Sequence, residues 1–117
     1  MRRYEPGALI IREGESPDDL YEMIEGDAIV SVRGMEIGQV KEGEVFGEVS
    51  FLTGSRRSAT VTARTQCTVQ VIRGADFEKI ARYRPALIYA LSRTLARRLT
   101  DVNDRLLKIS SLIQGRT

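Results

Sequence analysis

The chain has no histidine and no tryptophan, a single cysteine and only three prolines in 117 residues. Each absence removes a class of function. Without histidine there is no imidazole-held zinc or haem, and no serine or cysteine nucleophile activated by an imidazole base. One cysteine, Cys67, makes no internal disulfide and no four-cysteine metal or cluster site, and it fits a reducing compartment. No apolar run reaches the roughly 18 residues that a membrane-spanning helix needs. The N-terminal stretch Met1 to Gly7 lacks the apolar region of a secretory leader. A cytoplasmic chain that holds no metal and crosses no membrane by itself is the expectation. Charge of one sign is scarce too. Lys and Arg number 18 against 16 acids, a net +2, whereas a nucleic-acid binder wants a basic stripe.

What is present is ordinary globular composition, 42% hydrophobic and 29% charged. The length fits one domain that buries a core without staples. The first two-thirds reads as β. Gly, Pro, Asp and Ser interrupt it at short intervals, from Pro6-Gly7 to Gly54-Ser55. Between them lie short apolar runs such as Ala8 to Ile11, Leu20 to Ile24 and Ala28 to Val32, the last leading into Arg33-Gly34, a hairpin turn. Val61 and Ala63 alternate with Thr60 and Thr62, and Cys67, Val69 and Val71 with Thr68, Gln70 and Ile72. This period of two predicts half-buried strands and a sandwich, roll or barrel. Cys67 falls on the apolar side and reads as a core thiol.

The period changes near Gly74. Asp76 to Arg82 predicts a short helix with its acid early. Pro85 opens the last element, and Ala86 to Ile113 contains neither Pro nor Gly. Leu99, Leu106 and Ile113 fall at a positions and Leu95, Val102 and Ile109 at d positions, a coiled-coil seam. Asp101–Arg105 and Asp104–Lys108 are spaced to pair along it. A helix of this length outruns a domain of this size, so a homodimer through it is expected, against the plainer reading that it packs on its own β domain.

The chemistry concentrates between Phe46 and Thr60. Gly47 before a short helical run, Glu48 to Leu52, offers backbone N–H groups to an anion. Arg57 has the planar fork that suits a phosphate, and Ser58 adds a hydroxyl. Glu48 would repel a phosphate, but it suits a sugar hydroxyl beside one, as an acid does for ribose in dinucleotide folds. Val49, Phe51 and Leu52 are expected to anchor the short helix to the core. The alternative is that Glu48 and Arg57 pair with each other on the surface, and spacing alone leaves both readings open.

The run Phe46-Gly47-Glu48-Val49-Ser50-Phe51-Leu52 followed by Arg57-Ser58-Ala59-Thr60-Val61 resembles the phosphate-binding cassette of cyclic nucleotide-binding domains, found in bacterial catabolite activators, kinase regulatory subunits and gated channels. Upstream, Gly7, Ile10, Glu13-Gly14, Leu20-Tyr21, Ile24 and Gly26 resemble the first part of the same family. The resemblance runs from Tyr4 to about Ile113. It implies a mainly β fold with α, an eight-stranded, jelly-roll-like β roll over about residues 4–73. A cassette lies at 46–60, and helices follow over about 74–115, all within a single domain spanning 1–117. It implies no catalysis and a ligand, cAMP by preference and cGMP as second candidate. Glu48 would accept the ribose hydroxyl. Arg57 would meet the cyclic phosphate with Ser58 and backbone N–H groups near Gly47 and Glu48, flanked by Val49 and Ala59. Gly14, Gly26 and Gly47 match turn glycines, and Arg56 is left as a solvated charge. The run Ala96-Arg97-Arg98-Leu99 matches the activators, but the hydroxyl residues that meet the purine there are replaced by Val102-Asn103, which makes Asn103 the candidate purine contact. The helix that usually precedes the roll has no counterpart, and neither has the DNA-binding module of the activators. Arg93, Arg97, Arg98 and Arg105 spread around the last helix and are diluted by Asp101 and Asp104, so no nucleic-acid binding is expected of this chain alone. A regulatory sensor is the first reading. A docking module with the same fold and no nucleotide is the second.

Overall fold

The computed structural model describes residues 1–114. Eight strands come first: β1 Arg2–Tyr4, β2 Leu9–Ile11, β3 Asp19–Glu25, β4 Ala28–Val32, β5 Met35–Val40, β6 Val45–Phe46, β7 Thr60–Ala63 and β8 Cys67–Arg73. A short helix, α1 Glu48–Thr53, interrupts them between β6 and β7. A 3-10 turn, Gly74–Asp76, leads into α2 Phe77–Tyr83 and then α3 Pro85–Gln114. The strands form two antiparallel four-stranded sheets, ordered β1-β8-β3-β6 and β2-β7-β4-β5. This is the mainly β roll with trailing helices that the sequence implied.

Local chemistry explains the turns. β4 and β5 meet through Arg33 and Gly34 at φ 52° and 80°. Two residues at positive φ give the turn whose twist suits a two-residue hairpin. Gly26 is fixed by crowding, since a Cβ there would lie 2.3 Å from the Gln66 carbonyl oxygen.

The alternation of β7 places Val61 and Ala63 inside, as its sequence demands. β8 departs from its own period. Cys67 and Val69 are buried, but Ile72 is buried as well and Val71 only partly. The reason is that β8 is covered on both faces at its C-terminal end. Its inner face joins the roll core with Ile11, Met23, Val30 and Phe46. Its outer face meets a second core, where Leu20, Val45 and Ile72 pack with Leu87 and Leu91 of α3, flanked by Phe51, Phe77 and Ile80. The edge-on pair Phe51–Phe77, centroids 5.3 Å apart, ties α1 to α2. Among the α1 side chains expected to anchor it, only Phe51 does so. Val49 and Leu52 stand 44% and 49% exposed, while the polar Glu48 and Ser50 are the buried ones.

α3 is 30 residues long, about 45 Å at 1.5 Å per residue. Its first half supplies the second core. Beyond Arg98 every described side chain is exposed; those of Ile113 and Gln114 lie outside the described residues, so the seam position expected of Ile113 is not described.

Candidate functional site

Gly47 opens the site. Its φ of 77° is left-handed, and a Cβ on it would come within 2.8 Å of Arg57 Nη1. Glycine is needed there for both conformation and clearance. Removing the side chain lets Arg57 lie against the backbone. Arg57 is 6% exposed. Its Nη1 donates to the Gly47 carbonyl and to Ser50 Oγ, both at 2.8 Å, and its Nη2 donates to the Asp19 carbonyl at 2.5 Å. The guanidinium also lies 5.7 Å from the Tyr21 ring centroid. Three of five donors are thus used to fix the fork, which leaves two for another acceptor. The loop backbone is fixed too: Arg57 N donates to Glu15 O and Gly14 N to Arg57 O, each at 2.8 Å. Arg56 points elsewhere, donating from Nη1 to the Gly14 carbonyl at 3.0 Å while remaining exposed.

Glu48 is 1% exposed. It does not pair with Arg57 on the surface. Its partner comes from α3: Arg98 Nε lies 2.8 Å from Glu48 Oε1. The approach lacks hydrogen-bond alignment, so among the described residues neither carboxylate oxygen accepts a hydrogen bond and Arg98 Nε donates none. Burial pushes the Glu48 carboxyl above the usual carboxylate range, against the pull of Arg98 and Arg57. A buried carboxylate with free lone pairs is costly, and a hydroxyl donor placed there would relieve it.

Ser58 is exposed, and its hydroxyl has no partner among the described residues. Gly47, Glu48, Val49, Arg57, Ser58 and Ala59 all line one small cavity of about 50 Å³, closed on one side by Arg98. That cavity abuts a wider one of about 630 Å³ between the β4–β5 hairpin and α3. Val30, Val49 and Arg98 line both, so Arg98 stands at the boundary. Ile37, Gly38, Gln39, Lys41, Asp101, Val102 and Arg105 form the outer walls. One end of this cleft offers a carboxylate, a fixed fork and a hydroxyl. The other is a broad slot with room for a flat ring.

The structure brings together every predicted residue of the cassette and leaves Asn103 apart. Asn103 is exposed on α3 and lines neither cavity, whereas its neighbours Asp101, Val102 and Arg105 line the wide one. The expected Asp101–Arg105 pair does not form. Arg105 Nη2 instead donates to the Ile37 carbonyl at 3.0 Å, laying α3 over the edge strand β5. Sequence reasoning missed the two clasps that hold α3 to the roll, Arg98 to Glu48 and Arg97 to Glu44. The adjacent arginines were the available signal, since residues one apart on a helix reach different neighbours.

Comparison with known proteins gives one consistent result. The family model described as "Cyclic nucleotide-binding domain" matches residues 1–84. A cGMP-dependent protein kinase of Eimeria tenella is 41% identical over 76 residues, covering 65% of this chain and 8% of the kinase. The cAMP-activated global transcriptional regulator CRP of Salmonella typhimurium is 28% identical over 123 aligned positions, covering 99% of this chain and 59% of the regulator. The crystal structure of the Thermus thermophilus catabolite activator protein superposes with a TM-score of 0.76 at 27% identity, covering 93% of this chain and 54% of that one. The chain therefore spans well under two-thirds of these relatives.

Proposed function

This chain belongs to the cyclic nucleotide-binding domain family, and from that premise we propose that it is a reversible, non-catalytic sensor of a cyclic purine nucleotide, cAMP first and cGMP second. The observation that carries this reading is Glu48: a carboxylate 1% exposed, ion-paired with Arg98 yet accepting no hydrogen bond among the described residues, on the same small cavity as Arg57 and Ser58. A ribose hydroxyl supplies the donor that Glu48 lacks. The two remaining N–H groups of Arg57, Ser58 Oγ and the backbone near Gly47 suit the cyclic phosphate. The wide slot under α3 takes the purine, and Asn103 reaches it only from elsewhere, such as a second copy of the helix.

A ribose hydroxyl on Glu48 adds a donor beside Arg98 on the same carboxylate, and the purine fills the slot that α3 covers. Binding therefore shifts the balance of α3 positions relative to the roll. The far half of α3 carries the heptad seam, so a homodimer or an effector joined to it would read the change. Two of the arginines first considered for DNA, Arg97 and Arg98, are held by Glu44 and Glu48. That supports a chain that binds no nucleic acid by itself.

The test is calorimetry of ligand-free protein with cAMP and cGMP, on wild type, Arg57→Ala and Arg57→Lys. Wild type should bind one nucleotide per chain. Losing the fork should weaken binding about 100-fold or more, or about 2.7 kcal/mol, in the lysine variant as well, with circular dichroism checking the fold. Unchanged affinity in folded Arg57→Lys would remove the site assignment. The exposed seam supports a second reading, a docking module without nucleotide. It prevails if folded wild type is dimeric and neither nucleotide binds.

A further inference from the structure

A second open cavity, about 660 Å³, lies between the β5–β6 turn and the first half of α3. Neither Glu48 nor Arg57 lines it. Its walls are the turn Lys41 to Glu44 on one side and Tyr89, Arg93, Thr94 and Arg97 on the other. Of the two wall carboxylates, only Glu44 has its charge offset by a cation. Glu42 Oε1 accepts the Gly26 N–H at 3.1 Å. Glu44 accepts the Lys41 N–H at 2.7 Å and pairs with Arg97. Lys41 and Arg93 have no carboxylate partner among the described residues. The Arg93 guanidinium is held over the Tyr89 ring, 5.9 Å from its centroid. Thr94, only 4% exposed, contributes a polar residue to the wall. With Arg97 and Glu44 paired, Lys41 and Arg93 outweigh Glu42 and leave the cavity a net positive charge, with a cation on each wall.

We propose that this cavity is a separate site for a small phosphate monoester. An ammonium and a guanidinium on opposing walls suit a phosphate group, and the face of the exposed Tyr89 ring away from Arg93 offers a flat surface to the ester's organic part. None of Tyr89, Arg93 and Thr94 occupies an a or d position of the seam, so pairing of helices through that seam does not use them. The site also adjoins the first. Lys41, Glu44 and Arg97 line both large cavities, and the residue after Arg97 is the one that holds Glu48. An anion that draws on Lys41 or Arg97 therefore changes nucleotide affinity, and the nucleotide changes the anion's affinity by the same factor.

The probe is phenyl phosphate, titrated into the full chain and followed by amide NMR, with and without saturating cAMP. Saturable shifts at Tyr89, Arg93 and Thr94 that persist with cAMP are expected. Arg93→Gln should weaken them about tenfold, and Arg93→Lys should restore part of that loss. Shifts confined to Gly47, Glu48 and Ser58 and displaced by cAMP would overturn the proposal. So would the absence of saturable shifts, or equal affinity in wild type and Arg93→Gln. If phenyl phosphate behaves as expected and cAMP fails to bind, this site stands and the nucleotide reading falls. If cAMP binds and the Tyr89–Thr94 shifts are absent, the reverse holds.

Discussion

The two halves of α3 have the same kind of sequence and opposite surroundings. Both carry apolar residues at helical spacing with basic residues between them. In the first half, Leu87 and Leu91 lie in the second core, and Arg97 and Arg98 are clasped to the roll. In the second half, Leu99, Val102, Leu106 and Ile109 are exposed, Leu106 at 59%, and among the described residues Arg105 makes the one side-chain hydrogen bond to the roll. An apolar stripe on a helix must be covered. The pattern does not state by what. The roll covers the first half because the linker through α2 turns the chain back over β3, β6 and β8. The helix then outruns the roll, and its apolar residues are left uncovered.

The largest effect should come from the covered half. Leu87→Ala removes side-chain atoms from a fully buried position and is expected to cost about 2–5 kcal/mol. Thermal unfolding should fall by a similar amount at every protein concentration, because the contact lies within one chain. A loss that shrinks as concentration rises would show that Leu87 serves the pairing of helices instead, and the contrast between the halves would collapse.

The exposed half should behave in the opposite way. Leu106→Glu places a charge on the seam, at an a position. It is expected to cost about 2 kcal/mol per chain in association and little in the fold of the roll. Sedimentation should show a dimer becoming a monomer, and the dependence of Tm on concentration should vanish. A wild-type chain that is monomeric at every concentration would remove the homodimer.

What the sequence revealed divides along the same line. The strands were legible because Val61, Ala63, Cys67 and Val69 alternate, and α3 because it contains no breaker between Ala86 and Ile113. Val71 and Ile72 were misassigned to faces because alternation assumes one covered face, and β8 ends between two cores. The cassette residues were legible as a group from their motif. Their burial was not. Nothing in Gly-Glu-Val-Ser-Phe-Leu says that Glu48 and Ser50 turn inward while Val49 and Leu52 turn out. That inversion follows from Arg57, ten residues after Gly47, filling the space beneath α1 and drawing Ser50 inward. The Arg98 clasp, fifty residues after Glu48, was equally out of reach of local pattern.

The junction between the halves gives the smallest and sharpest test. Glu48 carries a raised pKa because it is buried, so the folded chain holds its proton at a pH where the unfolded chain has released it. Stability should therefore fall as pH rises from the ordinary carboxylate range through the raised folded value, and the penalty is complete above it. Glu48→Gln abolishes that term. Arg98 loses a charged partner, but the amide oxygen still faces its buried Nε, and the side chain as a whole is 36% exposed to water. At neutral pH the variant is expected to be more stable, with a higher Tm and a flatter pH profile. It should also lose cyclic-nucleotide binding, since an amide presents a donor and one acceptor where the ribose hydroxyl needs a carboxylate. Association through Leu99 to Ile109 should not change, because the substitution lies on the covered half. A variant less stable than wild type at neutral pH would mean that the pull of Arg98 outweighs desolvation. Glu48 would then be a structural clasp for α3 rather than a strained carboxylate kept for a ligand.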